Sequence, residues 1–354
     1  MYINKNYDQS NRNFVTPKLS ICIATFNRSK FISETLDSIL AQLDSRVEII
    51  VVDGASPDNT KDVLEEYIYR NPQLKYYCEQ VNSGVDADYD KAVGYARGQY
   101  CWLMTDDDLM APGAIRCVLD SLESNPDVLI ANSRIFNKSL TRVLSERILE
   151  FKEDQFYASS NDQFFSEVGN YLSFIGGVIV RRNLWESRDR VTYYGSVFIH
   201  VGVLFQSPPI KNIIVISEPQ VYIRYGNALW SARGFEIWMF KWPLLIWGFN
   251  EFSNSAKFKV TPLEPWRSLK KILHSRAIGS YSIIEFNKFI LNKPMSYSYL
   301  QARFIAQIPG SLANIICGSY CILINRKARS GAYDLARSKY STWVSRLAAR
   351  ILKV

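Results

Sequence analysis

The chain has 354 residues, 47% hydrophobic and 14% aromatic, which excludes a disordered protein and allows one large domain or two modest ones. Only two histidines are present, and none of the six cysteines forms a Cys-x-x-Cys pair, which argues against a zinc site and for free thiols in a reducing cytosol. The net charge of +8 is uneven: residues 257–354 hold 17 Lys/Arg against Glu264, Glu285 and Asp334, a local +14, so residues 1–256 carry −6.

Residues 1–17 read as a polar, Asn-rich arm without the apolar core of a signal peptide. Leu19 to Ala24 is a short apolar strand. Ser33 to Leu43 has the 3–4 spacing of a helix, through Leu36, Ile39, Leu40 and Leu43. Val47 to Val52 is a near-continuous apolar strand of the buried parallel kind, ending at Asp53-Gly54. The turn Ser56-Pro57-Asp58-Asn59-Thr60 leads into a helix from Lys61 to Arg70. Leu74 to Tyr77 is a third strand, and Asp86 to Arg97 a helix with Gly98 in the C′ position. The fourth strand, Tyr100 to Met104, runs into Asp106-Asp107-Asp108. Beyond residue 125 the rhythm weakens: Val128 to Ala131 and Gly177 to Val180 are strands, and residues 231–354 are mostly helical and aromatic.

Strand-helix alternation at this rhythm predicts a doubly wound α/β sheet, whose ligands bind beyond the carboxyl ends of the strands. Three such ends carry polar groups: Thr25 to Asn27, Asp53, and the acid triplet. Three adjacent carboxylates repel one another, and a cation relieves the cost of burying them. All-oxygen ligands suit Mg²⁺ or Mn²⁺ shared with substrate phosphates, although a solvated acidic turn or a helix cap has the same composition.

At the C-terminal end, Ile305 to Ile324 is the longest apolar candidate. It is interrupted by Gln307, Pro309, Gly310, Asn314 and Gly318, so it reads as a buried helix or an interfacial segment, not a span. The last helix, Ala332 to Lys353, spaces Tyr340, Trp343, Leu347 and Ile351 on one face, with Arg346 and Arg350 beside them. It reads either as a membrane-surface helix or as a packed terminal helix. The basic tail meets an anionic partner in this reading. No nucleic-acid module accompanies it, which favours a membrane over nucleic acid.

The order Ser20–Arg28, Glu48–Thr60, Asn82-Ser83-Gly84, Asp106–Leu109 and Pro112-Gly113 resembles the nucleotide-sugar-binding half of GT-A glycosyltransferases of family 2, over Lys18 to Leu122. The stretches Gly84–Ala92 and Cys101–Asp108 resemble, more narrowly, abequosyltransferase-type enzymes of O-antigen assembly. The resemblance implies a Rossmann-like, mostly parallel sheet with helices on both faces, plus a helical C-terminal region. It divides the chain into a donor half at 18–122, an acceptor half at 123–230 and a basic region at 231–354.

It also implies roles. Asp53 bonds the nucleobase, and Thr25 and Asn27 line the nucleotide pocket. Asp86 and Lys91 lie near the nucleotide, and Arg224 reaches the pyrophosphate. Asp106 sits near the ribose, with Asp107 or Asp108 on Mn²⁺ or Mg²⁺. Aligned on Pro112-Gly113, the Asp-x-Asp pattern falls on Thr105 and Asp107, whereas Asp106-x-Asp108 satisfies it directly, so all three acids remain metal candidates. Trp230 is a stacking or core residue. Gly176-Gly177 matches an acceptor-side loop.

Two departures stand out. Asp53-Gly54 replaces the frequent Asp-Asp, and Tyr89-Asp90 replaces Arg-Asn. The family's helix acid that serves as base has no counterpart in Phe198 to Leu204, where His200 is the candidate base or a core histidine, unless the transfer retains configuration and needs no base there. The implied reaction moves a sugar, with a CDP-3,6-dideoxyhexose as the leading donor and UDP- or dTDP-sugars as alternatives, to a lipid-linked oligosaccharide. It takes place on the cytoplasmic face of the membrane, with the basic C-terminal region as the peripheral contact. The rival is an inactive sugar-binding scaffold.

Overall fold

The computed structural model describes residues 16–227, 233–325 and 328–354. The polar arm up to residue 15 and Trp230 lie outside the described residues. The chain forms two compact units: one runs to Ile135 and includes Glu146–Ile223, and the other comprises Phe136–Ser145 and Arg224–Val354.

In chain order the elements up to Arg224 are β1 (Leu19–Thr25), α1 (Ile32–Leu40), β2 (Val47–Asp53), α2 (Thr60–Arg70), β3 (Leu74–Cys78), α3 (Val85–Tyr95), β4 (Tyr100–Met104), β5 (Leu109–Met110), α4 (Ala114–Leu122), β6 (Val128–Phe136), β7 (Val143–Ser145), β8 (Gln155–Ser159), α5 (Asp162–Val168), β9 (Val178–Arg181), α6 (Arg182–Glu186), α7 (Ile199–Phe205) and β10 (Lys211–Arg224). The sheet follows the order β3-β2-β1-β4-β9-β6-β10-β5, and β8 pairs β10. Pairing is parallel from β3 to β4 and turns antiparallel at β9. β1, β2 and β4 are buried along their whole length, as their unbroken apolar runs predict. Leu36 and Ile39 of α1 and Leu64 of α2 pack on this sheet, as do Ile115 and Leu119 of α4.

Register sets the position of the site. Thr25 lies opposite Asp53, and Ile23 opposite Met104, so β1, β2 and β4 end together and the acid triplet follows two residues later. Gly98 is not the left-handed helix cap that the sequence predicts: α3 stops at Tyr95, with Ala96 extended. Gly98 is small because its backbone crosses β1, where an added Cβ would come within 2.7 Å of the Ser20 nitrogen.

In the second unit the helices are α8 (Gly234–Glu236), α9 (Trp242–Gly248), α10 (Asn254–Val260), α11 (Leu269–Ile278), α12 (Ile283–Phe289), α13 (Tyr297–Gln307), α14 (Gly310–Leu323), α15 (Arg329–Arg337) and α16 (Trp343–Ile351). An aromatic core of Phe235, Trp266, Tyr281, Phe286 and Tyr299 holds several of them together. The single last helix expected over Ala332 to Lys353 is two helices. Tyr340 falls in the break, and the Thr342 hydroxyl and Ser345 cap α16 reciprocally.

Candidate active site

The carboxylates of Asp106 and Asp107 converge on Arg28. Its Nε lies 3.3 Å from Asp106 Oδ1, and its Nη2 lies 3.4 Å from Asp107 Oδ2. Asp108 points elsewhere: its Oδ2 accepts from the Thr105 hydroxyl at 2.5 Å, and its carbonyl accepts from Thr35 Oγ1 at 2.8 Å. All three acids and Arg28 are buried. Burial and the Asp107 charge push the Asp106 carboxyl up to about 7, against the pull of Arg28. Two buried carboxylates share one guanidinium and a third acid lies beside them, a donor set that suits a divalent cation with oxygen affinity. Among the described residues no three His, Cys, Asp or Glu side chains converge as a ready cage. The donor set therefore fits an ion held by one or two carboxylates and completed by phosphate oxygens. The buried Thr25 hydroxyl faces Asp106, with no other protein partner among the described residues.

Asp53 does not present itself for a nucleobase. It is fully buried; Oδ1 accepts from the Ser56 amide at 2.9 Å and from its hydroxyl at 2.6 Å, and Oδ2 accepts from Tyr76 Oη at 2.9 Å. Its visible work is positional, because Ser56 Oγ in turn accepts from the Asn27 amide at 2.8 Å. Asn27 is exposed and left-handed, with φ 58°, a conformation that Asn tolerates better than most residues. It turns the chain out of β1 so that Arg28 points back at the acids.

The Asp53-Gly54 departure has a structural cause. A Cβ on residue 54 would stand 2.5 Å from Asp88 Oδ2, a buried carboxylate delivered from α3. Burial raises the Asp88 pKa, and Ser83 Oγ donates to its Oδ1 at 3.1 Å. Lys91 is engaged here too: it pairs with Glu79 at 2.8 Å, lies 3.8 Å from Asp88 and donates to Ser83 Oγ at 2.8 Å. A buried carboxylate thus reaches the Asp53-Gly54 turn from α3.

Asp86 is turned away from this edge. Its oxygens accept from the Val197 amide at 2.8 Å and the Ile199 amide at 3.0 Å, so it caps the entry to α7. Asp90 is likewise structural, bonded to Trp185 Nε1 and Tyr194 Oη and paired with Arg190. His200 is corrected as a base. It is buried on α7, its Nε2 bonds the Leu172 carbonyl at 2.7 Å, and burial lowers its pKa to about 4. With Nε2 donating, Nδ1 is left as a buried acceptor with no protein partner, which describes a neutral core imidazole. Gly176 and Gly177 seat the loop before β9: the Gly176 carbonyl accepts from Trp102 Nε1, and a Cβ at 177 would meet the Ala131 carbonyl at 2.7 Å. Arg224 belongs to the second unit, where its Nη1 donates to the Lys138 carbonyl at 3.0 Å.

Sequence reading passed over two residues. Arg28 stands inside the recognised Asn27-Arg28 pair, and its charge next to a strand end was the available signal. Asp88 had no signal except its place in an acid-rich helix start.

A mixed sheet with a parallel half, helices on both faces and a buried acid cluster past the fourth strand defines the GT-A fold. Residues 20–178, somewhat under half of the chain, match the model of Glycosyl transferase family 2. Abequosyltransferase RfbV of Salmonella typhimurium is 26% identical over 232 residues, covering 61% of this chain and 69% of that protein. A Campylobacter jejuni GalNAc(5)-diNAcBac-PP-undecaprenol beta-1,3-glucosyltransferase is 28% identical over 157 residues, 42% of this chain and 51% of that protein. Among solved structures, S. aureus TarS 1-349 in complex with UDP superposes with a TM-score of 0.51 at 18% identity, over 95% of this chain and 88% of that one, a likeness of fold.

Proposed function

We propose that the protein transfers a 3,6-dideoxyhexose from its CDP-linked donor to a lipid-linked glycan at the cytoplasmic face of the membrane, with Mn²⁺ or Mg²⁺ at the Asp106–Asp108 cluster. The observation that carries the proposal is the buried Asp106 and Asp107 pair sharing the Arg28 guanidinium at the strand end, with the Thr25 hydroxyl facing it. The similarity to an abequosyltransferase over 61% of the chain supports the choice of donor sugar. The similarity to a transferase named for an undecaprenol-diphosphate-linked substrate supports the lipid-linked acceptor.

In this reading residues 18–122 hold the donor and 123–230 the acceptor. When bound, the divalent ion takes up charge that develops on the departing nucleoside diphosphate. Asp107 and Asp106 hold it, Asp108 fixes the turn through Thr105, and Arg28 keeps the carboxylates aimed and partly neutralised. Asp53 orders the Ser56 and Asn27 turn that walls the nucleotide, and Asp88 offers a carboxyl toward it. α7 holds no acid and its one histidine is neutral and buried, which supports a transfer that draws no proton through that helix.

The test is a thermal-shift screen of CDP, UDP and dTDP with and without Mn²⁺. Stabilisation by CDP that needs Mn²⁺ and disappears in Asp107→Ala supports the proposal. Selective stabilisation by UDP or dTDP would replace the donor, and CDP binding without any turnover of a CDP-sugar would point to a scaffold.

A further inference from the structure

α14 is built inside out. Its inward face is small or polar: Gly310, Ala313, Asn314, Gly318 and Cys321 are buried, with Asn314 fully so. Asn314 Nδ2 donates to the Leu335 carbonyl at 3.0 Å, and its Oδ1 accepts from Thr342 Oγ1 at 2.9 Å. Gly318 lets α16 come close, since a Cβ there would lie 3.1 Å from the Ser345 nitrogen. The large aliphatic residues Leu312, Ile315, Ile316 and Leu323 face out, Leu323 at 76% exposure.

The neighbouring helices also expose large apolar side chains, while α13 buries Tyr299 and Ile305 and α16 buries Val344. α13 exposes Tyr297, Leu300 and Phe304 at spacings of three and four, with Phe304 at 67%. α16 buries Ser345, Ala348 and Ala349 and exposes Trp343, Leu347 and Ile351, with Trp343 at 68%. A helix facing water normally does the opposite. Outward aliphatic and aromatic side chains on three helices of one unit suit an apolar medium better than water.

The charges identify that medium. Residues 286–333 contain no Asp or Glu, while Lys288, Lys293 and Arg303 lie among the apolar positions. Arg346 and Arg350 flank the stripe on α16. No helix among the described residues is long and apolar enough to cross a membrane, and α13 and α14 are bent by 112° where they meet. Short helices with outward apolar faces and a basic fringe suit the headgroup boundary.

We propose that the outward faces of α13, α14 and α16 insert shallowly into a bilayer that carries anionic lipid. This rests on the reading that the acceptor is lipid-borne, and it relocates the membrane contact from one terminal helix to a three-helix surface.

The test uses the full chain and vesicles of phosphatidylcholine with or without about 30% phosphatidylglycerol, read by flotation. The wild type floats with the anionic vesicles more than with the neutral ones. Leu312→Gln/Ile316→Gln/Leu323→Gln floats at least about tenfold less, with its melting temperature held, because all three positions are exposed. Arg303→Glu/Arg346→Glu/Arg350→Glu loses the preference for anionic vesicles, and it keeps the test informative if the triple Gln chain folds poorly. The proposal is overturned if the wild type ignores both vesicles, if neither variant changes flotation, or if the wild type is a dimer that the Gln substitutions split while vesicles are ignored. Donor recognition is scored separately by the thermal shift with CDP and Mn²⁺, which both variants retain; its loss in the wild type would count against the donor reading alone.

Discussion

Replacing Arg28 with Met removes a cation that Asp106 and Asp107 share, at 3.3 and 3.4 Å. Each contact carries about 5 kcal/mol of gross attraction at an effective dielectric of ~20. The net cost of leaving buried acids unpaired is smaller, about 3–5 kcal/mol, and protonation reduces it further. Protonation is accessible here because Asp106 already titrates near about 7. A carboxyl raised in the folded state keeps its stabilising protonated form below the unfolded value and loses it as pH rises through the folded value. Losing Arg28 raises that value again, so the variant is penalised more at high pH. The expected loss is about 3 kcal/mol at pH 8 and about 1 kcal/mol at pH 5.5, without metal. For a unit of this size that is roughly 6–12 °C and 2–4 °C in the melting temperature. Scanning calorimetry at the two pH values measures it, and Mn²⁺ should restore the variant more than it stabilises the wild type. Equal losses at both pH values, or no loss at pH 8, would refute the account of the cluster.

Three further outcomes follow from the same geometry. Because Asp106 must ionise to hold a cation, Mn²⁺-dependent CDP affinity should rise up to about tenfold per pH unit below 7 and level off above it, as titration calorimetry across pH 5.5 to 8.5 would show. Gly54→Ala drives a Cβ against Asp88 Oδ2 and should cost about 1–3 kcal/mol, part of which Gly54→Ala/Asp88→Ala recovers in thermal melts. His200→Gln should change donor turnover by less than about threefold, whereas removing a true general base costs about 10²–10⁴, and the pH profile should keep its shape.

Most of the parallel half of the sheet was legible because β1, β2 and β4 are buried on both faces and read as near-continuous apolar runs: Val47 to Val52, broken only by Glu48, needs no partner to be recognised. The shared edge was legible too, since adjacent parallel strands must end together. Side-chain direction was not. Asp86, Asp88 and Asp90 are two residues apart on one helix, yet one caps α7, one faces Gly54 and one binds Trp185. Spacing alone cannot assign those faces when every candidate is an acid. His200 looked like a base because its composition permits one; burial, which depends on contacts distant in sequence, decides otherwise. The outward aliphatic face of α14 was invisible for the opposite reason. Its period is that of an ordinary amphipathic helix, and the sequence does not say which side meets water.

The central claim is that Asp106, Asp107 and Asp108 form a cation-dependent nucleotide site. Titration of CDP into the wild type, Asp107→Ala and Asp108→Ala, each with and without Mn²⁺, tests it most directly. The account predicts Mn²⁺-dependent binding in the wild type, at least about tenfold weaker binding in Asp107→Ala, and a smaller loss in Asp108→Ala, whose carboxylate holds the Thr105 turn. Equal CDP affinity in all three proteins, with or without the metal, would contradict it.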